Sequence, residues 1–327
     1  MKSTYMAIIA VVIIAVAAVG VYFAFFNNGS ENYPVDEIVR EDLREGDYIE
    51  IGFEAAILAN NNITGVEKET VLSNLTNYYG ELTGQHSVTY KGVLIMCDLY
   101  EYKSGEFTTE YLVHPETRVV YGYNSVTPNL TMEYRLEDTN IDITKNASEL
   151  TIEKSSYIKL SNSVRVAEGE IVVEFSGSTI TTVTNESEGL YDCTAVSELY
   201  ANADIRLEIE FVDLDTIKLK DIDEPIKKEL FLAFISEDKL IAQLEEEEIS
   251  LEPKSKTTEI EDVEGYGKRK VTYEVFDATK DEQTATLTLG YGEKGVNYNL
   301  SMVYSSDGNS LSFVVKLKTS NLISVPN

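Results

Sequence analysis

The chain has 327 residues, with 56 acidic against 27 basic side chains, a formal net charge of −29 and only two cysteines. So acidic a surface repels phosphate backbones and anionic headgroups, which excludes nucleic-acid binding. Two cysteines, Cys97 and Cys193, are too few for a disulfide scaffold; in an oxidising exterior they either form one bridge or remain two separate buried thiols.

The first predicted element is Met6 to Phe26, "MAIIAVVIIAVAAVGVYFAFF", 21 residues without a charge. As a helix it reaches roughly 31 Å, enough to span a bilayer. A cleaved secretory signal is the rival reading, since Lys2 supplies a positive start and "AVAA" small residues. Its apolar part would run about 7 to 15 residues, whereas this one is longer and ends in bulky "VYFAFF". An uncleaved anchor is therefore expected at 1–27. With Lys2 before the span and "NNGSENYPVDE" after it, the N-terminus is placed in the cytoplasm and the rest outside. The sequons at Asn28, Asn62, Asn74, Asn129, Asn146, Asn185 and Asn299 are candidate glycosylation sites of such an ectodomain.

Beyond the anchor, "GDYIEIGF" reads as a strand. "TVLSNLTNYYGEL" reads as a helix, with Val71, Leu75, Tyr78 and Leu82 on one stripe. "HSVTYKGVLIMCDLYEY" suits a strand with a bend, and "YLVHPETRVVY" a hairpin turning at Pro115. These make a first module over 35–148.

A second module over 155–253 is read from internal matches. "EGDYIEI" at Glu45 matches "EGEIVVE" at an offset of 123 residues, "TVLSNL" matches "TAVSEL" at 124, "DLYE" matches "DIDE" at 123 and "ETRVV" matches "EDKLI" at 121. Four short matches in one order, with nearly constant offset, indicate a repeat. On this basis "TAVSEL" is expected to be a helix. "DEPIKKELFLAFISEDKLIAQLEEEEI" has apolar residues at helical spacing but is assigned, by its equivalence to "YLVHPETRVVY", to a hairpin. The segment 256–327 resembles the hairpin half of the module, because "EVFDATKDEQTATLTLGYGEKGV" parallels "DLYEYKSGEFTTEYLVHPETRVV". It is expected to pack on the second module. The fold class is mainly β (α+β), with tandem antiparallel sheet modules each carrying a short packed helix.

Few residues suggest chemistry. The chain has two histidines, His86 and His114, neither at zinc spacing, and no hydrolase, zincin, phosphate-loop or C-x-x-C motif. No cofactor and no catalytic residue is assigned, and a hydrolase with a dispersed site is kept as an alternative. Asp213, Asp215, Asp221 and Asp223, with Glu224 nearby, could offer oxygen ligands to calcium, although a solvated strand face explains them as well. "LEEEEI", Glu245 to Glu248, reads as a solvated strand end. The 21 tyrosines crowd the first module, at Tyr78, Tyr79, Tyr100, Tyr102, Tyr111, Tyr121 and Tyr123. They either line a groove for a glycan or apolar ligand or act as cross-strand packing.

An anchor followed by tandem β modules opening with L-x-x-G-D-Y, here "LREGDYIEI", resembles uncharacterised single-pass surface proteins of archaea. The resemblance implies an exported, membrane-tethered protein without an assigned reaction. A short helix on a curved antiparallel sheet is also similar to half-barrel lipoprotein carriers of acyl chains, which makes a carrier or sensor of an apolar ligand a further alternative. The expected role is non-enzymatic binding or structure at the cell surface, with a surface protein, glycan or lipid as partner.

Overall fold

The computed structural model describes residues 38–324, apart from residues 169–170, 221, 223–224, 247–248, 281–282 and 307. The expected anchor and the Asn28 sequon lie outside the described residues. Among those residues no helix is long and apolar enough to cross a membrane.

The protein is mainly β. In chain order, β1 (Ile38–Val39) leads into β2 (Tyr48–Glu67), two one-turn helices α1 (Lys68–Val71) and α2 (Ser73–Thr76), and the meander β3 (Glu81–Tyr90), β4 (Val93–Ser104), β5 (Phe107–Val113), β6 (Val120–Val126) and β7 (Leu130–Thr139). Next come β8 (Tyr157–Glu168), β9 (Ile171–Ser187), β10 (Leu190–Val212), β11 (Thr216–Leu219) and β12 (Ile226–Lys227). Helices α3 (Lys228–Ala233) and α4 (Glu237–Glu246) precede β13 (Ser250–Val263), β14 (Gly267–Lys280), β15 (Gln283–Tyr291), β16 (Asn297–Ser306), β17 (Asn309–Ser320) and β18 (Ile323–Ser324).

One antiparallel sheet runs β13-β14-β15-β16-β17-β2-β10-β9-β8-β7-β6-β5-β4-β3, with β11 and β12 attached beside β10. Its spine is the pair of 20- and 23-residue strands β2 and β10. Their β-branched and aromatic residues alternate with polar ones, so Ile49, Ile51, Phe53 and Ala55 of β2 and Leu199, Ala201, Ile205, Leu207 and Ile209 of β10 turn to one face and are buried. The "EGDY" that opens β2 is a structural turn. Gly46 takes φ 82°, and the buried Asp47 pairs with Arg40 and accepts the Arg44 N–H at 2.6 Å.

Two cores lie along this sheet. The larger joins β2, β10 and β13 to β17 with α3 and α4; the smaller joins α1, α2 and the Ile141–Ile152 loop to the ends of β3 to β10. Strand β8 shows how they meet. Leu160 belongs to the smaller core and Val164 to the larger, while Asn162, on the same face between them, is buried and polar. In β9, Val183 and Phe175 bracket Thr179 in the same way. Asn162 Nδ2 donates to Thr179 Oγ1 at 2.6 Å, and Thr179 and Ser197 hydroxyls bond at 2.8 Å, forming a polar waist.

Several expectations are corrected. "TAVSEL" is not a helix: Thr194–Leu199 lies mid-strand in β10, hydrogen-bonded by β2 on one side and β9 on the other. "TVLSNL" is helical, because Val71, Leu72 and Leu75 drop into the smaller core, but the helix stops at Thr76 and Leu82 sits exposed on β3. "HSVTYKGVLIMCDLYEY" is a hairpin rather than one bent strand, turning at Lys91 (φ 48°) and Gly92 (φ 78°). The hairpin assigned to "ELFLAFISEDKLIAQLE" is α3 and α4. Five consecutive residues, Phe231 to Ile235, are buried together with Leu240, Ile241 and Leu244, so the end of α3 and the turn after it are enclosed on all sides, while α4 buries one stripe. Asn297 N–H donating to Ile235 O at 3.0 Å pins the pair to the β15–β16 loop.

The repeat therefore survives at the strand that follows "EG" and in the two hairpins β4–β5 and β14–β15, but not at "TAVSEL" or "EDKLI". The C-terminal segment does pack on the second module, through α3, α4 and the pairing of Ser250–Pro253 with β14, but it also joins the first: β17 pairs with β2, in register from Ser310 opposite Leu58 to Ser320 opposite Ile49. Strands from 35–148, 155–253 and 256–327 thus alternate within one sheet, and the sheet has no break at those boundaries.

Candidate functional site: a tyrosine row on strands β4 to β8

Strand register brings dispersed tyrosines into one line. Tyr100 stands opposite Tyr111, Tyr111 opposite Tyr123, Tyr123 opposite Tyr134, and Tyr134 opposite Asn162. Directly opposed residues share a face, so the row crosses β4, β5, β6 and β7 and ends at the polar waist. Ring centroids lie 5.9 Å apart for Tyr111 and Tyr123 and 4.6 Å for the stacked Tyr123 and Tyr134. Tyr79, from the segment after α2, adds its ring 6.0 Å from Tyr102 and 6.2 Å from Tyr111.

Exposure falls along the row. Tyr79 is 57% and Tyr102 43% exposed, the inner rings are half-buried, and Asn162 is 7% exposed. Burial, helped by Tyr79 and Tyr102, raises the Tyr111 phenol above its ordinary value. Asn162 Oδ1 is buried without a hydrogen-bond partner, an arrangement that costs about 1–3 kcal/mol.

Arg118 supports the outer end. Its guanidinium donates to Tyr100 Oη at 2.8 Å and to Tyr78 Oη at 3.1 Å, and lies 5.1 and 5.2 Å from the two ring centroids. An ion pair to Asp98 spans 3.6 Å. The hydrogen bond to Tyr100, with that to Tyr78, raises the guanidinium pKa. Arg118 itself closes the β5–β6 turn at φ 61°, a left-handed conformation that side chains with a Cβ adopt at a cost.

Opposite the row, side chains alternate to the other face of β7. There Arg135 and Glu133 form a 2.9 Å ion pair and, with His86, Val88 and Tyr121, line a cleft between β3 and β7. Burial lowers the Arg135 pKa, while Glu133 and Glu110 oppose the effect. Gly122 makes room for it: a Cβ there would stand 2.6 Å from Tyr134 O and 2.7 Å from Arg135 Cδ. His114 is taken up in its turn, where Nδ1 accepts the Glu116 and Thr117 N–H groups at 3.3 and 3.2 Å.

The other sequence candidates are scattered. Asp213 and Asp215 sit exposed in the β10–β11 turn, where Asp213 Oδ1 accepts the Leu214 N–H at 2.7 Å. Asp221, Asp223 and Glu224 lie outside the described residues, as do Glu247 and Glu248. Among the described residues no three His, Cys, Asp or Glu side chains form a metal-sized group. Cys97 and Cys193 are free, correcting the possible disulfide; each is buried in the smaller core, and burial pushes the Cys97 thiol up to about 11. Of the sequons, Asn62, Asn129 and Asn185 are exposed and Asn74 is half-buried. Asn146 is engaged as a cap accepting Ser148 N–H at 3.1 Å, and Asn299 has a buried Oδ1.

Sequence reading counted the tyrosines but missed Tyr134, Asn162 and Arg118. No known protein family, characterised protein or solved structure matches the chain.

Proposed function

We propose that the protein is a non-enzymatic binding protein, tethered by the apolar Met6–Phe26 segment with its β-sheet outside the membrane, and that the tyrosine row is its contact surface. The observation that carries this reading is a line of aromatic rings, exposed at one end and stacked at the other, ending beside a buried, unpartnered amide oxygen. Tyrosine offers an apolar ring with a polar tip, which suits a ligand whose faces are apolar and whose rim is hydroxylated. A net charge of −29 disfavours anionic ligands, so a neutral glycan is the preferred class.

Large side chains such as Phe175, Phe231 and Phe276 are fully buried in the larger core, which weighs against an acyl-chain carrier and for a surface platform. The test is a neutral-glycan array probed with the full chain and with the Tyr79→Ala/Tyr102→Ala variant. Binding that falls at least tenfold in the variant supports the reading, while binding unchanged by the substitutions, or none across the array, overturns it. Protease shaving of intact cells tests the orientation, because an ectodomain cut only after permeabilisation would reverse it.

A further inference from the structure

The sheet has two edges, and they are built differently. At one, β13 carries Pro253, a bulge between Pro253 and Ser255, and exposed charges at Glu252, Lys254, Lys256 and Glu259. These are the features by which edge strands avoid pairing with another chain. At the other edge β3, "ELTGQHSVTY", has no proline and no lysine; Glu81 is its only formal charge, and its irregularity is confined to Leu82–Gly84 at the strand start. Beside it stand Leu82 at 58%, Val93 at 61%, Leu94 at 70% and Met96 at 53% exposure. Leu82, Leu94 and Met96 share one face of this hairpin while Val93 turns to the other, and the three form an apolar patch of the kind that marks an interaction surface.

The charge pattern points to the occupant. Over Glu81–Cys97 the formal charges are Glu81 and Lys91, in a chain whose net charge is −29, and Lys91 is paired within the chain to Asp138. A basic partner would find nothing to hold on this hairpin. A second copy of the chain, which the rest of the surface repels, meets no repulsion here. Antiparallel pairing centred on Gln85 or Ser87 sets Glu81 of one copy against an uncharged residue of the other, and pairing centred on His86 sets it against Lys91, so no like charges are opposed, and the added strand lies beside Leu82 on the edge. Such a contact is isologous and closes at two copies.

We infer that β3 is a self-pairing edge through which two copies of the protein join their sheets into one continuous antiparallel sheet. Two-fold pairing also places the two tyrosine rows in one assembly, so a repeating ligand would be gripped at two points.

The test is sedimentation of the full chain in a non-ionic detergent over a concentration series. The expected result is a monomer–dimer equilibrium that tightens at least threefold as salt rises from 20 to 500 mM, because screening relieves the general acidic repulsion. Ser87→Lys, which sets like charges near the two-fold axis, should weaken the dimer at least tenfold, and Thr257→Lys on β13 should leave it unchanged. Single cysteines at Gln85, His86 and Ser87, in a Cys97→Ala/Cys193→Ala background, should form an intermolecular disulfide at one position, identifying the axis. A monomer at all concentrations to about 100 µM overturns the inference. So does a dimer indifferent to Ser87→Lys, which would locate the contact elsewhere. Far-UV circular dichroism of each variant confirms that the sheet is intact when the comparison is made.

Discussion

Arg118 sits in a left-handed conformation that glycine would adopt freely, so its replacement by alanine and by glycine should have unequal effects. Both substitutions remove the hydrogen bonds to Tyr100 at 2.8 Å and Tyr78 at 3.1 Å and the stacking on both rings. Each hydrogen bond contributes about 1 kcal/mol net and the cation–π contact about 0.5–1 kcal/mol. The ion pair to Asp98 is discounted, since the Arg118 side chain is 33% exposed. Arg118→Ala should therefore cost about 2–3 kcal/mol. Arg118→Gly loses the same contacts but relieves about 1–2 kcal/mol of backbone strain, offset by about 0.5–1 kcal/mol for glycine's greater freedom when unfolded. The glycine variant should thus be more stable than the alanine variant by about 0.5–1 kcal/mol, the reverse of the order at an ordinary strand position. Urea unfolding followed by tyrosine fluorescence, convenient in a chain without tryptophan, measures both at constant m-value. A glycine variant less stable than the alanine variant would refute the claim that the turn holds strain at Arg118.

Three other outcomes are expected. Burial pushes the Tyr121 phenol up to about 12 from the ordinary 10, and Tyr121 is 6% exposed. Its neutral form is thus held by the fold, so about 2–3 kcal/mol of stability present below pH 10 is lost as pH climbs toward 12. Tyr121→Phe should flatten that part of the profile, and an unchanged slope in urea titrations at pH 9 to 12 would count against it. Cys97 and Cys193 should resist iodoacetamide in the native protein and react fully in urea, as read by intact mass, because the thiolate is the reactive form and both thiols are buried; rapid native labelling of both would contradict their placement. Gly122→Ala should cost about 1–3 kcal/mol through the close approach of Tyr134 O and Arg135. Gly84→Ala, with nothing within 4 Å, should change stability by less than about 0.5 kcal/mol, and similar losses in both would refute the packing argument.

The strands were legible because alternation is a local property. Ile49, Ile51 and Phe53 announce a half-buried strand whatever they pair with, and "YLVHPETRVV" carries its own turn. Sheet order was not legible, since alternation says which face a residue takes and nothing about the neighbour. Ile57 is flanked by Leu199 on one side and Leu311 on the other, partners more than a hundred residues away in either case. The misread helices show a different failure. Ile226, Leu230 and Phe234 lie at helical spacing, but an inferred equivalence to a hairpin overrode the spacing. Resemblance among short polar-apolar words survives where two segments begin strands and misleads where one copy has moved onto another layer.

The candidate site was half-visible for the same reason. Tyr100, Tyr102 and Tyr111 stand close enough in sequence for alternation to relate them, whereas Tyr134 and Asn162 join the row only through the registers of β6, β7 and β8. Arg118 left one faint signal: a tight turn, "PETR", with no glycine at the position that takes positive φ. A turn that keeps arginine there accepts backbone strain, and the structure supplies a reason in the two tyrosine hydroxyls it holds. The features that single out the row, register and strain, are those that composition and periodicity do not encode. Binding assays on Tyr79 and Tyr102 and stability measurements on Arg118 therefore probe separate things. The first asks whether the platform has a ligand, the second whether its outer end is held by a strained support, and either can fail while the other stands.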